Sequence, residues 1–237
     1  MGSQYKENNF STENQSTSNQ STSHSIAANN TDKIATVCYE MLKQTYSKEY
    51  SEIMEMFYGI SVSELSSINK KTVYSYRPEN FFILDLEIPS SNCSLYDCFS
   101  SFTSYETLDG DNSWYNEEMN KKIAVKKRIT FWSLPKILII TLKRFSFDGK
   151  KKRQEFVDIP LTDFSLSKYV SGYNAKQYKY DLYAVCNHSG NTQGGHYTAY
   201  VKTNTSWTHY NDSQVERNIS ENKIITPKAY CLFYRKK

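Results

Sequence analysis

The sequence has little from which a covalent or metal staple could be built. Its five cysteines, Cys38, Cys93, Cys98, Cys186 and Cys231, are an odd number with neither CxxC nor CxH spacing. That pattern argues against a disulfide framework and a zinc cluster, and points to reduced thiols. No apolar run approaches the roughly 20 residues of a membrane-crossing helix, and the first residues lack a signal-type apolar segment. The expectation is a soluble, cytoplasmic protein with no membrane partner. Excess charge is lacking too: 29 basic residues stand against 25 acidic ones, a net +4, so no nucleic-acid partner is implied. No cofactor or metal is expected. With 237 residues the chain can bury roughly 70% of its unfolded surface, enough for one or two domains without cross-links.

Residues 1–30 contain 19 Ser, Thr, Asn or Gln. Such a segment cannot offset its ordering entropy by burial and is expected to be a disordered polar tail. Over 31–59 apolar residues recur at helical spacing (Ile34, Val37, Cys38, Met41, then Ile53, Met56, Phe57), with Gly59 as the stop. Residues 60–88 are strand-like. In "ENFFILDLEIP" Phe82, Leu84, Leu86 and Ile88 alternate with Ile83, Asp85 and Glu87. "SLYDCFSSF" reads as a helix: Ser94 and Asp97 have capping-box spacing, and Leu95, Cys98, Phe99 and Phe102 share a face, which puts Cys98 in a core.

Beyond residue 130, "LPKILIITLKRFSF" holds four consecutive aliphatics, Ile137–Ile140, which suits a strand covered on both faces and predicts the sheet centre there. Asp148-Gly149 signals a hairpin, and "KKKRQ" beyond it reads as a solvated loop tip rather than an anion site. The C-terminal part reads as an antiparallel meander of "YKYDLYAVCNH", "HYTAYVKT", "SWTHYN" and "AYCLFYRK".

One stretch of the meander carries candidate chemistry. Gly194 and Gly195 let the backbone turn sharply and pass close to an extended ligand. His196 then opens a strand. If 197–203 pairs with 206–210, His196 lies beside Asn211, with Asp212 next along. An imidazole held by an amide or carboxylate oxygen keeps one tautomer and can take a proton from a thiol. The same residues suit a plain surface hydrogen bond, and alone they do not decide.

The surrounding words do. "YDLYAVCNHSGNTQGGHYTAYVK", "WTHYNDSQV" and "AYCLFYRK" resemble the C-terminal box of the ubiquitin-specific proteases. "FYG", "FFILDLEIP", "SLYDCFSSFTSYETLDGDNSW", "WSLPKILIITLKRFSFDG" and "VDIPL" resemble upstream segments of the same family in the same order, over roughly 40–237. The resemblance implies an α+β fold of the papain-like cysteine protease superfamily. Its parts would be a helical lead-in (31–59), β fingers (60–130) and an antiparallel palm sheet (131–237), with the thumb mostly missing. It implies a thiol-dependent hydrolase acting after the C-terminal glycine of ubiquitin, with ubiquitin or ubiquitinated proteins as partners. His196 matches the general base, Asn211 its orienting residue and Asp212 an auxiliary carboxylate. Phe145, His188 and Tyr197 match positions lining the channel for ubiquitin's tail, alongside Gly194 and Gly195.

Two features depart from the family pattern. The nucleophile belongs in a "GNTCYMNS"-like box well over a hundred residues before the fingers, and no such box is present. Cys38, followed by Tyr39 and Met41, imitates it and is the candidate nucleophile, but it lacks the flanking Gly-Asn and Asn-Ser, and collinear placement assigns it to a core-packed helix. The expectation is a palm and fingers without their thiol, served by a separate thumb-bearing polypeptide or acting as a non-catalytic ubiquitin-binding module. The CxxC pairs that many members place at the fingertips are replaced by Ser67 and Lys70 and by Asn116 and Met119. These fingers are expected to rely on packing of Tyr74, Tyr76, Trp114 and Tyr115 instead of zinc.

Overall fold

The computed structural model describes residues 18–146, 148 and 151–237. Two helices come first, α1 (Ser18–Tyr46) and α2 (Glu52–Phe57). Strands β1 (Gly59–Ser66), β2 (Val73–Phe81), β3 (Ile83–Leu86) and β4 (Cys93–Ser94) lead to α3 (Leu95–Phe102). Then follow β5 (Glu106–Leu108), the hairpin β6 (Trp114–Asn116) and β7 (Lys121–Ile123), β8 (Val125–Ser133) and β9 (Ile137–Leu142). After the short β10 (Val157–Asp158) and β11 (Phe164–Ser165) come β12 (Lys179–Gly190), β13 (Gly195–Thr203), β14 (Ser206–Asn211), β15 (Gln214–Ile219) and β16 (Ala229–Lys236). The class is α+β.

Helix α1 reaches back to Ser18, into the segment read as a disordered tail; residues 1–17 lie outside the described residues. Extending a formed helix costs far less than nucleating one, so the packed turns at Ile34, Ala35 and Cys38 can carry a polar extension. Those three residues sit on one stripe against Ile60, Val62 and Trp132. The lead-in is broken at residues 47–51, and Ser51 caps α2 by accepting from the Met54 amide. Gly59 is not a helix stop but the first residue of β1, where a methyl group would meet the Phe81 ring at 2.4 Å and the Ser133 carbonyl at 2.9 Å.

The smaller, four-stranded sheet has the order β2-β1-β8-β5 and is drawn from residues 59–133. Its middle carries a buried charge: Glu64, 4% exposed, accepts from Arg128 Nη2 at 2.8 Å and from the Tyr105 hydroxyl at 3.0 Å. Trp114 stacks on Tyr74 at 5.5 Å, and Tyr76 packs beside Trp132, whereas Tyr115 is exposed. At the tips, Ser67 closes its turn by accepting from Lys70 N, and Asn116 Oδ1 accepts from Met119 N. Among the described residues no three His, Cys, Asp or Glu are placed to hold a metal ion. The chain leaves this sheet at Phe82, so β3 and α3, inside the expected fingers span, belong to the main body.

The larger sheet runs β15-β14-β13-β12-β16-β9-β3, with β11 also on β12. All its pairings are antiparallel except β3 with β9. Strand β9 is covered on both faces as expected, with Leu138, Ile139 and Ile140 buried in succession, but it lies one strand from the edge; β12 is central. The alternation in β3 holds for Leu84, Leu86 and Ile88, all buried; Phe82 is exposed at the bend before β3. The connection after Asn211 forms β15, and β16 returns to the far side of β12. Of the expected Asp148-Gly149 turn, Gly149 lies outside the described residues; the flanks meet through a Phe145–Lys152 bridge. Helix α3 carries the expected capping box, and Leu95, Cys98 and Phe99 enter the main core beneath the sheet.

Candidate active site

The site lies where β12, β13 and β14 end together. The β13–β14 ladder runs from Thr203–Ser206 to Ala199–Tyr210, so one further step sets Asn211 diagonal to His196, not directly across. Diagonal neighbours remain within reach across strands. His196 Nε2 lies 2.6 Å from Asn211 Oδ1. A carbonyl oxygen only accepts, so Nε2 carries the proton and donates, and Nδ1 is left with a free lone pair. Asp212, at a left-handed turn (φ +50°), brings Oδ2 to 4.0 Å from the same Nε2. Both side chains are solvent-exposed, so this carboxylate supports an imidazolium weakly.

His196 and Asn211 thus line a cleft of about 630 Å³ whose walls also include Lys152, Asn187, His188 and His209, while Asp212 lies just outside that lining. Lys152, expected in a solvated loop tip, instead donates to the His188 carbonyl at 2.7 Å and to His188 Nδ1 at 3.0 Å. An ammonium has only donors, so His188 is neutral with its proton on Nε2. Burial, and then the Lys152 charge, hold its pKa below the usual histidine value. The sequence signal for Lys152 was its nearness to Phe145, which it bridges. Asn187 is 4% exposed with Oδ1 unpaired, and His209 stacks on Tyr200 at 4.6 Å; neither stood out in the sequence.

Phe145, His188 and Tyr197 come together as expected, with ring centroids 5.5 Å (Phe145–His188) and 4.6 Å (His188–Tyr197) apart. Tyr230 joins them, 6.0 Å from His188. Successive strand residues point to opposite faces, so His196 and Tyr197 flank the start of β13 from either side. The two glycines differ. Neither has a positive φ, and the sharp turn is made at Gly190 (φ +123°). Gly194 has open space around it, whereas a methyl group at Gly195 would lie 2.2 Å from His188 Nε2 and 2.5 Å from the Ser189 carbonyl. The close approach at Gly195 is therefore to this chain's own β12.

None of the cysteines faces His196. Cys38, the candidate nucleophile, is fully buried against Ile60, Val62 and Trp132, and burial pushes its thiol up to about 12. Cys93 and Cys98 are buried in the main core, with Cys98 also raised to about 12. Cys186 pairs with Ala199 and His188 with Tyr197, so Cys186 and its neighbour Cys231 share the Tyr197 face, opposite His196.

The ubiquitin carboxyl-terminal hydrolase family profile matches residues 4–234. Ubiquitin carboxyl-terminal hydrolase 21 of Mus musculus is 37% identical over 205 residues, which is 82% of this chain and 35% of that protein. Ubiquitin carboxyl-terminal hydrolase 10 of Arabidopsis thaliana is 41% identical over 147 residues, 60% of this chain and 16% of that protein. The chain therefore spans about a third or less of the length of these relatives. Among solved structures, a chain of the SAGA Ubp8/Sgf11/Sus1/Sgf73 DUB module bound to ubiquitin aldehyde matches with a TM-score of 0.68 and 25% identity, covering 84% of this chain and 47% of that one. A related Ubp8 module structure gives 0.70 and 27%, covering 81% and 44%. With the profile spanning nearly the whole sequence, this chain belongs to the ubiquitin carboxyl-terminal hydrolase family.

Proposed function

We propose that this chain supplies the general base, its orienting amide and the substrate-tail groove of a thiol-dependent ubiquitin hydrolase. The nucleophilic sulfur comes from a segment outside these 237 residues or from a separate polypeptide. The observation that carries the reading is the 2.6 Å contact of His196 Nε2 with Asn211 Oδ1, which leaves Nδ1 free to take a proton. A thiol brought to Nδ1 gives up its proton, and the thiolate attacks the carbonyl carbon of ubiquitin's last glycine. The imidazolium then protonates the departing lysine amine, and water, with His196 again as base, releases the acyl group. Asn211 holds the ring in register throughout, and Asp212 steadies its positive charge.

Gly194, with open space around it, and the ring group of Phe145, His188, Tyr197 and Tyr230 would border the groove for the extended Gly-Gly tail. Laying that tail in a fixed path supplies the positioning on which attack depends. Both module structures resembled by this chain contain separate polypeptides, and one of them contains ubiquitin aldehyde, which supports ubiquitin and a further chain as partners here.

The placement of the five cysteines favours a second reading for the chain on its own, a ubiquitin-binding module without turnover. Loss of a triad nucleophile costs on the order of 10⁶ in kcat in a measured serine protease. The test offers the purified chain ubiquitin with a C-terminal thiol-reactive warhead, intact ubiquitin, and ubiquitin lacking its last two glycines. Binding to intact ubiquitin only, without covalent labelling, is the expected result. Labelling of any of the five cysteines, or no ubiquitin binding, overturns the proposal. Adding a polypeptide that bears a Cys box separates the readings: hydrolysis of a ubiquitin C-terminal amide that vanishes in His196→Ala identifies a split enzyme, and its absence leaves the binding module.

A further inference from the structure

The registers of the larger sheet align a row of residues on successive strands: Asp85 opposite Thr141, Thr141 opposite Cys231, Cys231 opposite Cys186, and Cys186 opposite Ala199. The adjacent row is Leu84, Ile140, Leu232 and Val185, all buried in the main core. Alternate strand residues point to opposite faces, so the row with the two cysteines lies away from that core. Both cysteines are only partly buried, and Asp85 at the end of the row is exposed, whereas Cys38, Cys93 and Cys98 are buried.

Directly opposed residues of antiparallel strands have Cα atoms about 4.5 or 5.5 Å apart, and either value falls within the roughly 4.4–6.8 Å window of a disulfide. Cβ atoms of such a pair, about 4.5–5.5 Å apart, must draw in by about an ångström to the roughly 3.5–4.5 Å of a disulfide, a local adjustment of two hydrogen-bonded strands together with side-chain rotation. We infer that Cys186 and Cys231 form a reversible disulfide tying β12 to β16, with a small disulfide such as oxidised glutathione as electron acceptor. One cysteine thiolate attacks the small disulfide and expels a thiolate, leaving a mixed disulfide. The second cysteine thiolate attacks the protein sulfur of that intermediate and expels the other small thiolate. Two protein thiols are oxidised, one small disulfide is reduced to two thiols, and the two protons released by the cysteines end on the products.

The place of the bond gives it a consequence. The β12–β16 ladder shifts between Cys186 and Asn187, leaving Tyr230 as the unpaired extra residue that projects towards His188. The disulfide fixes the strand pair from which both rings rise. Burial raises both thiols, Cys231 to about 12, so exchange is slow at neutral pH and quickens as pH rises.

The test equilibrates the full chain in glutathione buffers of increasing oxidised fraction, alkylates free thiols after unfolding, and maps non-reduced peptides by mass. Expected is a Cys186–Cys231 cross-linked peptide that accumulates with oxidation and disappears with dithiothreitol. It should be lost in both Cys186→Ser and Cys231→Val, while Cys38, Cys93 and Cys98 remain alkylated. Recovery of Cys186 and Cys231 at equilibrium as free thiols or as separate glutathione adducts overturns the inference, as does a Cys93–Cys98 cross-link in its place. The covalent readout is independent of what the cleft binds.

Discussion

Gly194 and Gly195 look interchangeable in the sequence, and the structure predicts opposite outcomes for an alanine at each. At Gly195 the added methyl would sit 2.2 Å from His188 Nε2, 3.1 Å from its Cδ2 and 2.5 Å from the Ser189 carbonyl, against an ordinary contact of 3.4 Å or more. Neither neighbour yields easily. The His188 ring is held by Lys152 and packed by Phe145, Tyr197 and Tyr230, and Ser189 is a rung of the β12–β13 ladder opposite His196. Overpacking of this kind costs about 1–3 kcal/mol. The lower chain entropy of alanine in the unfolded state returns about 0.4–1 kcal/mol, so Gly195→Ala should destabilise by about 1–2 kcal/mol. At Gly194 nothing lies within 4 Å, so only the entropy gain remains, and Gly194→Ala should be neutral or slightly stabilising. Urea unfolding followed by tryptophan fluorescence measures both, with the midpoint compared at constant slope. If Gly194 borders the ubiquitin tail, its alanine variant also weakens ubiquitin binding while keeping full stability. Equal midpoints for the two variants, or a parent-like Gly195→Ala with unmoved His188 ring signals, would refute the packing argument.

Three other expectations follow from named contacts. A histidine whose folded pKa is lowered binds fewer protons than in the unfolded chain, so the contribution of His188 is complete above about 6.5 and is lost as pH falls from there through the lower folded value. Its share of the slope is at most about 1.4 kcal/mol per pH unit. Lys152→Met removes one of the two causes, so NMR titration should find the His188 pKa higher than in the parent; an unchanged value contradicts the pairing. Glu64→Ala leaves Arg128 beside a vacated buried site and should cost about 2–3 kcal/mol, less than a fully buried pair because Arg128 is partly exposed. Hydrogen exchange should localise that loss to β1 and β8, and uniform loss over both sheets would count against it. Asn211→Ala releases the His196 ring, so its nitrogen shifts should move from one Nε2-protonated tautomer to a mixture; a fixed tautomer would show that something else orients the ring.

Local chemistry was legible where one segment contains both partners. The Ser94–Asp97 capping box, the alternation of Leu84, Leu86 and Ile88, and the meeting of His196 with Asn211 all lie within short stretches, and the structure contains each of them. What escaped depends on partners far apart in sequence. The rank of β9 in the sheet is set by β16 and β3, one nearly a hundred residues downstream and the other some fifty upstream. Lys152 belongs to a charge run, and its real partner His188 is 36 residues away. Tyr230 reaches His188 only because the β12–β16 ladder shifts, and a bulge leaves no mark on hydrophobic alternation. Glycine is ambiguous for a related reason: its missing side chain serves a turn at Gly190, a strand start at Gly59 and a close approach at Gly195, and composition cannot tell these apart.

If His196 acts as the proposed base, its geometry also constrains where a sulfur can come from. Nε2 is occupied by Asn211, so the ring nitrogen left open to accept a proton would be Nδ1. Cys186 and Cys231 are barred because they project from the opposite face of the sheet, and Cys38, Cys93 and Cys98 because each is buried among apolar neighbours. Bringing any of these sulfurs to Nδ1 would require unfolding the sheet or the core that supports the base. A thiol arriving from outside these residues meets no such obstacle, because His196 is exposed and the cleft beside it is open. The same openness leaves Asn211 and Asp212 screened by water until the cleft is covered. A covering segment that carried the thiol would therefore also strengthen the contacts that stabilise the imidazolium, so nucleophile delivery and base activation would be one event.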